Sequence, residues 1–280
     1  MLQIGRIAYA NCTPIFSSLV AASPVGRYRF VSGVPARLNG LLATGEIDVC
    51  PSSSFEYACR PNHYLILPGL SISSDGPVAS VLLFSRVPIE ELDSSLVLLS
   101  SESATSVNLL KILLSKRFGI SCRYAQHAGG LDDALSDAPA LLLIGDTALR
   151  ESLRNHSYWV YDLGSMWREW TSLPFVFALW LCRCEAAEKS GEEVRRLVTD
   201  FSAAKAAARQ NLQIIAERSH DADWMGVERL VSYWQENISY DLDTRHCESL
   251  SLFFRYCTEL GLLPSEPPLR FFGTEGGSLT

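Results

Sequence analysis

Over the first sixty residues the spacing of apolar positions alternates between two periods, and each change marks an element. QIGRIAY (3–9) is an extended apolar run, and Thr13-Pro14 after it supplies a cap and a proline at the first helical position. YRFVSG (28–33) predicts a second strand. From Pro35 the spacing becomes helical, with Leu38, Leu41 and Leu42 on one face and Gly45 as the stop. EIDVC (46–50) predicts a third strand, and PSSSFEYACR (51–60) opens a third helix. This β-α-β-α-β-α order predicts an open, parallel α/β sheet.

Two long extended runs follow, VASVLLFSRVP (78–88) and LPFVFALWLCRC (173–184), with a smaller α/β unit between them. That unit holds the strand SLVLLS, a helix from Ser103 to Phe118 ended by Gly119, the strand CRYAQH, a short helix near 131–136, and ALLLIGD. Beyond 184 the pattern is helical. Ser190 with Glu193 predicts a capping box on a helix reaching about Arg218, followed by helices over 223–236 and 244–260. Two extended runs around an inserted unit predict two crossings of a hinge. Residues 1–86 with 180–280 then form one lobe, 87–179 form the other, and a cleft lies between them.

The 280 residues carry 48% hydrophobic and 20% charged positions, enough for a substantial core. A formal net charge of −7 argues against a nucleic-acid partner. No stretch reaches the roughly 20 apolar residues of a membrane span, so no membrane partner is expected. Arg6, Asn11 and Pro14 interrupt what would be the apolar core of a signal peptide. The eight cysteines include no C-x-x-C pair, and Cys182 and Cys184 are expected on one face of a strand. They read as reduced thiols of a cytoplasmic protein, with no metal centre and no cofactor.

Hydroxyl residues crowd three places: Ser52, Ser53 and Ser54 at a helix start; Ser73 and Ser74 beside Asp75 in SISSDGPV, which reads as a polar loop just before the first crossing; and Ser103, Thr105 and Ser106 at another helix start. In open α/β sheets ligands bind beyond the carboxyl ends of strands, where helix N-termini present unpaired N–H groups to anions. An N-cap explains any one cluster. Three clusters facing one cleft predict an anionic ligand with more than one acidic group. Arg37 reads two ways, as a bidentate carboxylate ligand or as half of a surface ion pair. There is no G-x-G-x-x-G, P-loop, H-E-x-x-H or G-x-S-x-G sequence.

GRIAYANCTP, VSGVPARLN, LPGLSISSDGPVASVLLFSRVPIEEL, SESATSVNLLKILL, LLIGDTAL, YDLGSMWREWTSLPFVFALW and LRFF together resemble the chorismate dehydratases (the MqnA family) of the futalosine route to menaquinone. The resemblance runs in order along nearly the whole chain. It implies a two-lobed fold of the periplasmic-binding-protein type II, used as a cytoplasmic enzyme, and elimination of water from the dianion chorismate to give 3-[(1-carboxyvinyl)oxy]benzoate. Relatives commonly carry tyrosine-leucine-asparagine-threonine where this chain has YANCTP, so Ala10 and Cys12 depart from the pattern while Asn11 keeps it.

The resemblance implies a catalytic positioning role for Asn11. Substrate contacts are expected at Arg37, Ser53, Ser54, Ser74, Thr105, Ser106, Gly145 and Asp146. An amide is no base at neutral pH, which leaves Glu56, Asp75, Glu102, Asp146, His127 or a carboxylate of the substrate to take the proton. Asp146 reads equally as such a base or as a structural residue that braces the hinge or caps a helix. Two other readings share the fold: a carboxylate-binding protein without chemistry, and the sister lyase of the same route, which is expected to use a histidine base.

Overall fold

A computed structural model describes residues 1–24, 26–100 and 103–273. It opens with β1 (Gln3–Ile7), α1 (Thr13–Ala22), β2 (Arg29–Gly33), α2 (Pro35–Thr44), β3 (Val49–Ser53) and α3 (Ser54–Cys59). β1 pairs in parallel with β2 on one side and with β3 on the other. Local chemistry explains the boundaries. Proline stands in the first turn of α1 and of α2, and Gly45 ends α2 at φ 85°, a conformation that strains any residue with a Cβ.

β4 (Tyr64–Ser74) and β5 (Val81–Ser85) come next. They are followed by β6 (Leu96–Leu99), α4 (Ala104–Ile112), β7 (Arg123–Gln126), α5 (Leu131–Asp137), β8 (Ala140–Ile144), α6 (Gly145–Ser152), β9 (Trp159–Asp162) and α7 (Leu163–Thr171). A π-helical turn, Leu113–Arg117, prolongs α4. The remainder is β10 (Phe175–Arg183), α8 (Cys184–Lys189), α9 (Gly191–Glu217), α10 (Ala222–Met225), α11 (Val227–Ser232) and α12 (Thr244–Glu259).

The strands form two five-stranded sheets, β2-β1-β3-β10-β4 and β7-β6-β8-β5-β9. The sheets share one plan: three parallel strands, then an antiparallel fourth. The fourth strand of each is the one that enters after the chain has crossed from the other sheet. β10 runs antiparallel to β3 and β4, and β5 runs antiparallel to β8 and β9.

This pairing corrects the expected arrangement. The two extended runs do not lie side by side, because β5 belongs to the second sheet and the whole of β10 to the first. The partner of β10 is β4, whose SISS segment was expected to be a loop. Both sheets are mixed rather than parallel. The crossings fall at 75–80 and after α7, so neither 86/87 nor 179/180 separates the halves.

Two smaller expectations also change. Ser190 caps α9 without a side-chain bond, and the Glu193 carboxylate pairs with the Met1 ammonium 3.3 Å away. The capping box forms instead on α12, between Asp243 and His246. Cys184 begins α8 rather than continuing the strand face of Cys182.

Aromatic side chains fill both faces of the first sheet. Trp180 of β10 packs against Phe16 of α1 and Phe201 of α9, with ring centroids 6.4 and 5.8 Å away. On the opposite side Phe175 meets Trp167 of α7 and Phe253 of α12, each at 5.2 Å. Trp167 is fully buried and donates Nε1–H to Ser249 Oγ at 3.0 Å. A helix of the second half is thereby anchored on the first. Aromatic pairs of this geometry add about 0.5–1.5 kcal/mol each beyond their area.

Candidate functional site

The carboxyl ends of β1, β3, β6 and β8 all open on one cavity of about 200 Å³ between the two sheets. Ile7, Ile72 and Phe177 of the first half and Val81 and Ile144 of the second make its apolar walls. Its polar rim comes from helix starts: Asn11 ahead of α1, Pro35, Ala36 and Asn39 of α2, Ser53 before α3, Ser103, Ala104 and Ser106 of α4, and Gly145 of α6. The first N–H groups of a helix lack intrahelical partners and carry partial positive charge. Several such starts around one small apolar cavity favour a compact anion.

Local hydrogen bonds hold these starts in shape. Ser53 Oγ accepts from Glu56 N at 3.2 Å, and Ser103 Oγ accepts from Ser106 N at 3.3 Å, so both serines are N-caps. The turn carrying Asn11 is held from three sides. Trp234 Nε1 donates to the Ala10 carbonyl at 2.8 Å, and the Tyr240 hydroxyl donates to the Asn11 carbonyl at 2.8 Å. Asp146 Oδ1 accepts from Ala10 N at 3.1 Å. The Asn11 Oδ1 is buried and has no hydrogen-bond partner among the described residues.

Of the nine residues named from sequence, Asn11, Ser53, Ser106 and Gly145 line the cavity. Ser54, Ser74, Thr105 and Asp146 stand behind it. Thr105 was expected to present its hydroxyl to a ligand. It instead accepts from Phe55 N at 3.0 Å and lies 3.2 Å from Ser54 Oγ. Ser54 donates to the Val176 carbonyl at 2.9 Å, which leaves the Thr105 hydroxyl hydrogen for Ser54. Ser74 donates to the Gly76 carbonyl at 3.0 Å. Asp146 bonds across the two halves to Ala10 N, in keeping with the structural one of its readings. Arg37 is exposed with its Cδ beside Gly33, outside the lining, and has no ion-pair partner among the described residues.

The candidate bases lie elsewhere. Glu56 accepts from the Tyr64 hydroxyl at 3.3 Å and pairs with Arg60 at 3.6 Å. Asp75 is held by Arg168 at 2.7 Å and Arg245 at 3.5 Å. His127 Nε2 sits 3.8 Å from the Asp133 carboxylate. Glu102 lies outside the described residues. Among the described residues, no carboxylate, histidine, lysine or arginine lines the cavity. Nor is a nearby thiol reactive: burial pushes the Cys50 thiol up to about 12 and that of Cys12 higher still.

Sequence reading passed over Tyr9, Asn39 and Ser80. Tyr9 packs its ring 3.2 Å from where a Cβ on Gly145 would stand, at φ 60°, which accounts for glycine there. Ser80 accepts from the Tyr233 hydroxyl at 3.0 Å, and its carbonyl accepts from Gly145 N at 2.7 Å. The available signal for Asn39 was its spacing, four residues after Pro35 and so on the same helix face.

Residues 2–259 match the family described as Menaquinone biosynthesis. The chain is 33% identical over 256 residues to the chorismate dehydratase of Thermus thermophilus, covering 86% of this chain and 89% of that one. It is 27% identical over 262 residues to the chorismate dehydratase of Campylobacter jejuni, covering 92% and 98%.

Among solved structures it is similar to a protein of Archaeoglobus fulgidus, at a TM-score of 0.76 and 17% identity over 94% of this chain and 98% of that one. It is also similar to the periplasmic aliphatic sulphonate binding protein of Escherichia coli, at a TM-score of 0.70 and 17% identity over 100% and 95%. A Candida albicans protein described as having the generic periplasmic binding protein fold superimposes at a TM-score of 0.64 and 10% identity over 99% and 98%. The fold is therefore of the periplasmic-binding-protein kind. No helix among the described residues is long and apolar enough to cross a membrane.

Proposed function

The chain belongs to the menaquinone-biosynthesis family, and from that membership and the make-up of its cleft we infer that it is a chorismate dehydratase, a lyase that removes water from chorismate to give 3-[(1-carboxyvinyl)oxy]benzoate. The reaction fits a site without ionised side chains. The ring proton of chorismate on the carbon bearing the enol ether is vinylogous to the ring carboxylate. Its loss leaves an extended enolate, which collapses by expelling hydroxide from the neighbouring carbon; proton and hydroxide leave as water, and the ring becomes aromatic. The enzyme has to orient the dianion, stabilise the enolate and exclude bulk water.

In this reading the two substrate carboxylates meet N–H groups at the starts of α2, α3 and α4, with the Ser53 and Ser106 hydroxyls beside them. Asn11 holds the reacting ring against the apolar walls. The proton acceptor is the carboxylate of the substrate's own enolpyruvyl side chain. The observation that carries this is the absence, among the described residues, of any basic side chain in the lining. Cytoplasmic placement is inferred from eight free cysteines, which suit a reducing compartment.

The test is to incubate purified protein with chorismate and follow the aromatic product by absorbance and chromatography. One equivalent of product per chorismate consumed is expected. Tight binding of chorismate that is recovered unchanged would overturn the enzymatic reading in favour of a carboxylate-binding protein. An analogue lacking the side-chain carboxylate should bind and not turn over; turnover of that analogue would place the base on the protein.

A further inference from the structure

Asn39 stands one turn into α2, above Pro35 on the face that meets the cleft, while Leu38 and Leu42 are fully buried in the core. Helix formation does not call for it. Asparagine is a poor helix former, and α2 already has a proline start and a glycine stop. Its Oδ1 is shielded from solvent and has no hydrogen-bond partner among the described residues. Asn11, on the same cavity, is in the same state. Native folds leave few buried polar atoms unpaired, so two orphaned carboxamide oxygens on one cavity call for a ligand. With no cationic side chain in the described lining, an anion there must be met by neutral donors.

We propose that Asn39 is a specificity-determining residue, donating Nδ2–H to one of the two carboxylates of the substrate and so favouring the dianion over monoanions of the same shape. The proposal rests on the dehydratase reading and adds a residue and a selectivity to it. Turning the carboxamide about its last bond exchanges oxygen and nitrogen with little change of shape, so the donor can face the ligand without repacking. The first N–H groups of α2, beginning at Ala36, lie on the same side and share the carboxylate.

The experiment measures binding of 3-[(1-carboxyvinyl)oxy]benzoate and of its two monomethyl esters to the wild-type chain and to Asn39→Ala and Asn39→Asp, with chorismate turnover alongside. Loss of one charge-assisted hydrogen bond should weaken the dianion roughly tenfold to a hundredfold in Asn39→Ala, and the like charge in Asn39→Asp should weaken it further. One monoester should be as sensitive to Asn39→Ala as the dianion and the other almost insensitive, identifying the carboxylate held. KM should rise more than kcat falls. The thermal midpoint of Asn39→Ala should be unchanged or higher, since an orphaned acceptor is removed and alanine favours the helix.

Dianion affinity within twofold of wild type in both variants would overturn the proposal. So would equal weakening of the dianion and both monoesters, or a lowered midpoint that accounts for the loss. Wild-type turnover with unaffected Asn39 variants overturns this inference alone, whereas a wild-type chain that neither binds nor converts the dianions overturns the dehydratase reading as well.

Discussion

Phe55 N donates to Thr105 Oγ1 across 3.0 Å, although Phe55 opens a helix on the first sheet and Thr105 a helix on the second. Thr105 is fully buried, so this bond fixes the spacing of two helix starts whose neighbours, Ser53 and Ser106, face the cleft. Thr105→Val keeps the shape and leaves the Phe55 N–H without its acceptor. A loss of about 1–3 kcal/mol is expected, with Thr105→Ser near wild type, as read from urea unfolding. Equal stability of the valine and serine variants would refute the assignment.

A second device holds the first crossing. Asp162 accepts from Val78 N at 3.0 Å, Ala79 N at 2.7 Å and Ser165 N at 3.0 Å, so one carboxylate caps α7 and ties down a strap in which Ala79 has φ 58°. Asp162→Ala should cost about 3 kcal/mol or more, because several donors lose their acceptor together. Asp162→Asn should recover part of it. An unfolding midpoint unmoved by the alanine substitution would contradict this account.

Asn11 should matter for rate more than for stability. Trp234 and Asp146 hold the neighbouring Ala10, and Tyr240 holds the Asn11 carbonyl, so the turn is fixed through its backbone. Asn11→Ala should therefore fold normally while kcat falls about 10²–10³-fold, the usual effect of removing one preorganised donor. Single-turnover kinetics with chorismate would check it; retained kcat would remove Asn11 from the mechanism.

Burial raises the Glu56 pKa above its ordinary 4.5, against the opposing pull of Arg60 and the Tyr64 hydroxyl. Between 4.5 and that higher value the folded chain keeps a proton that the unfolded chain has released, so this group's contribution to stability is present at low pH and is lost as pH rises through the folded pKa. Glu56→Gln should flatten that decline in urea midpoints measured from pH 4.5 to pH 7. Turnover should be retained, since Glu56 lies off the cleft; a collapse of turnover would reinstate it as a base.

Gly145 combines φ 60° with a tyrosine ring in van der Waals reach of any added Cβ. Gly145→Ala should cost about 1–2 kcal/mol from the left-handed backbone alone. It should also displace Tyr9 and lower kcat/KM. A crystal structure of the variant with Tyr9 unmoved and activity intact would count against this.

Much of the fold was legible because its signals are local. Pro14, Pro35, Gly45, Gly119 and Gly261 mark helix ends through their own backbone preferences, and the periodicity around Leu38, Leu42, Leu109 and Leu110 needs only near neighbours. β4 escaped because its signals conflict. Pro68-Gly69 and a run of serines read as a loop, yet Ser71 and Ser73 are fully buried and bonded to a segment about 170 residues away.

The sequence by itself determined where α1, α2, α4, α9 and α12 begin, that an α/β unit is inserted in another, and that small hydroxyl residues gather at helix starts. Only the tertiary structure decided that β5 and β10 enter different sheets, that Thr105 and Ser54 come within hydrogen-bond reach of each other, and that Asn39 joins Asn11 at one cavity. The physical reason is range. Proline, glycine and apolar spacing act on the residues beside them, whereas a buried hydroxyl or amide takes whichever partner the fold brings near, and that partner is 51 residues away for Ser54 and Thr105.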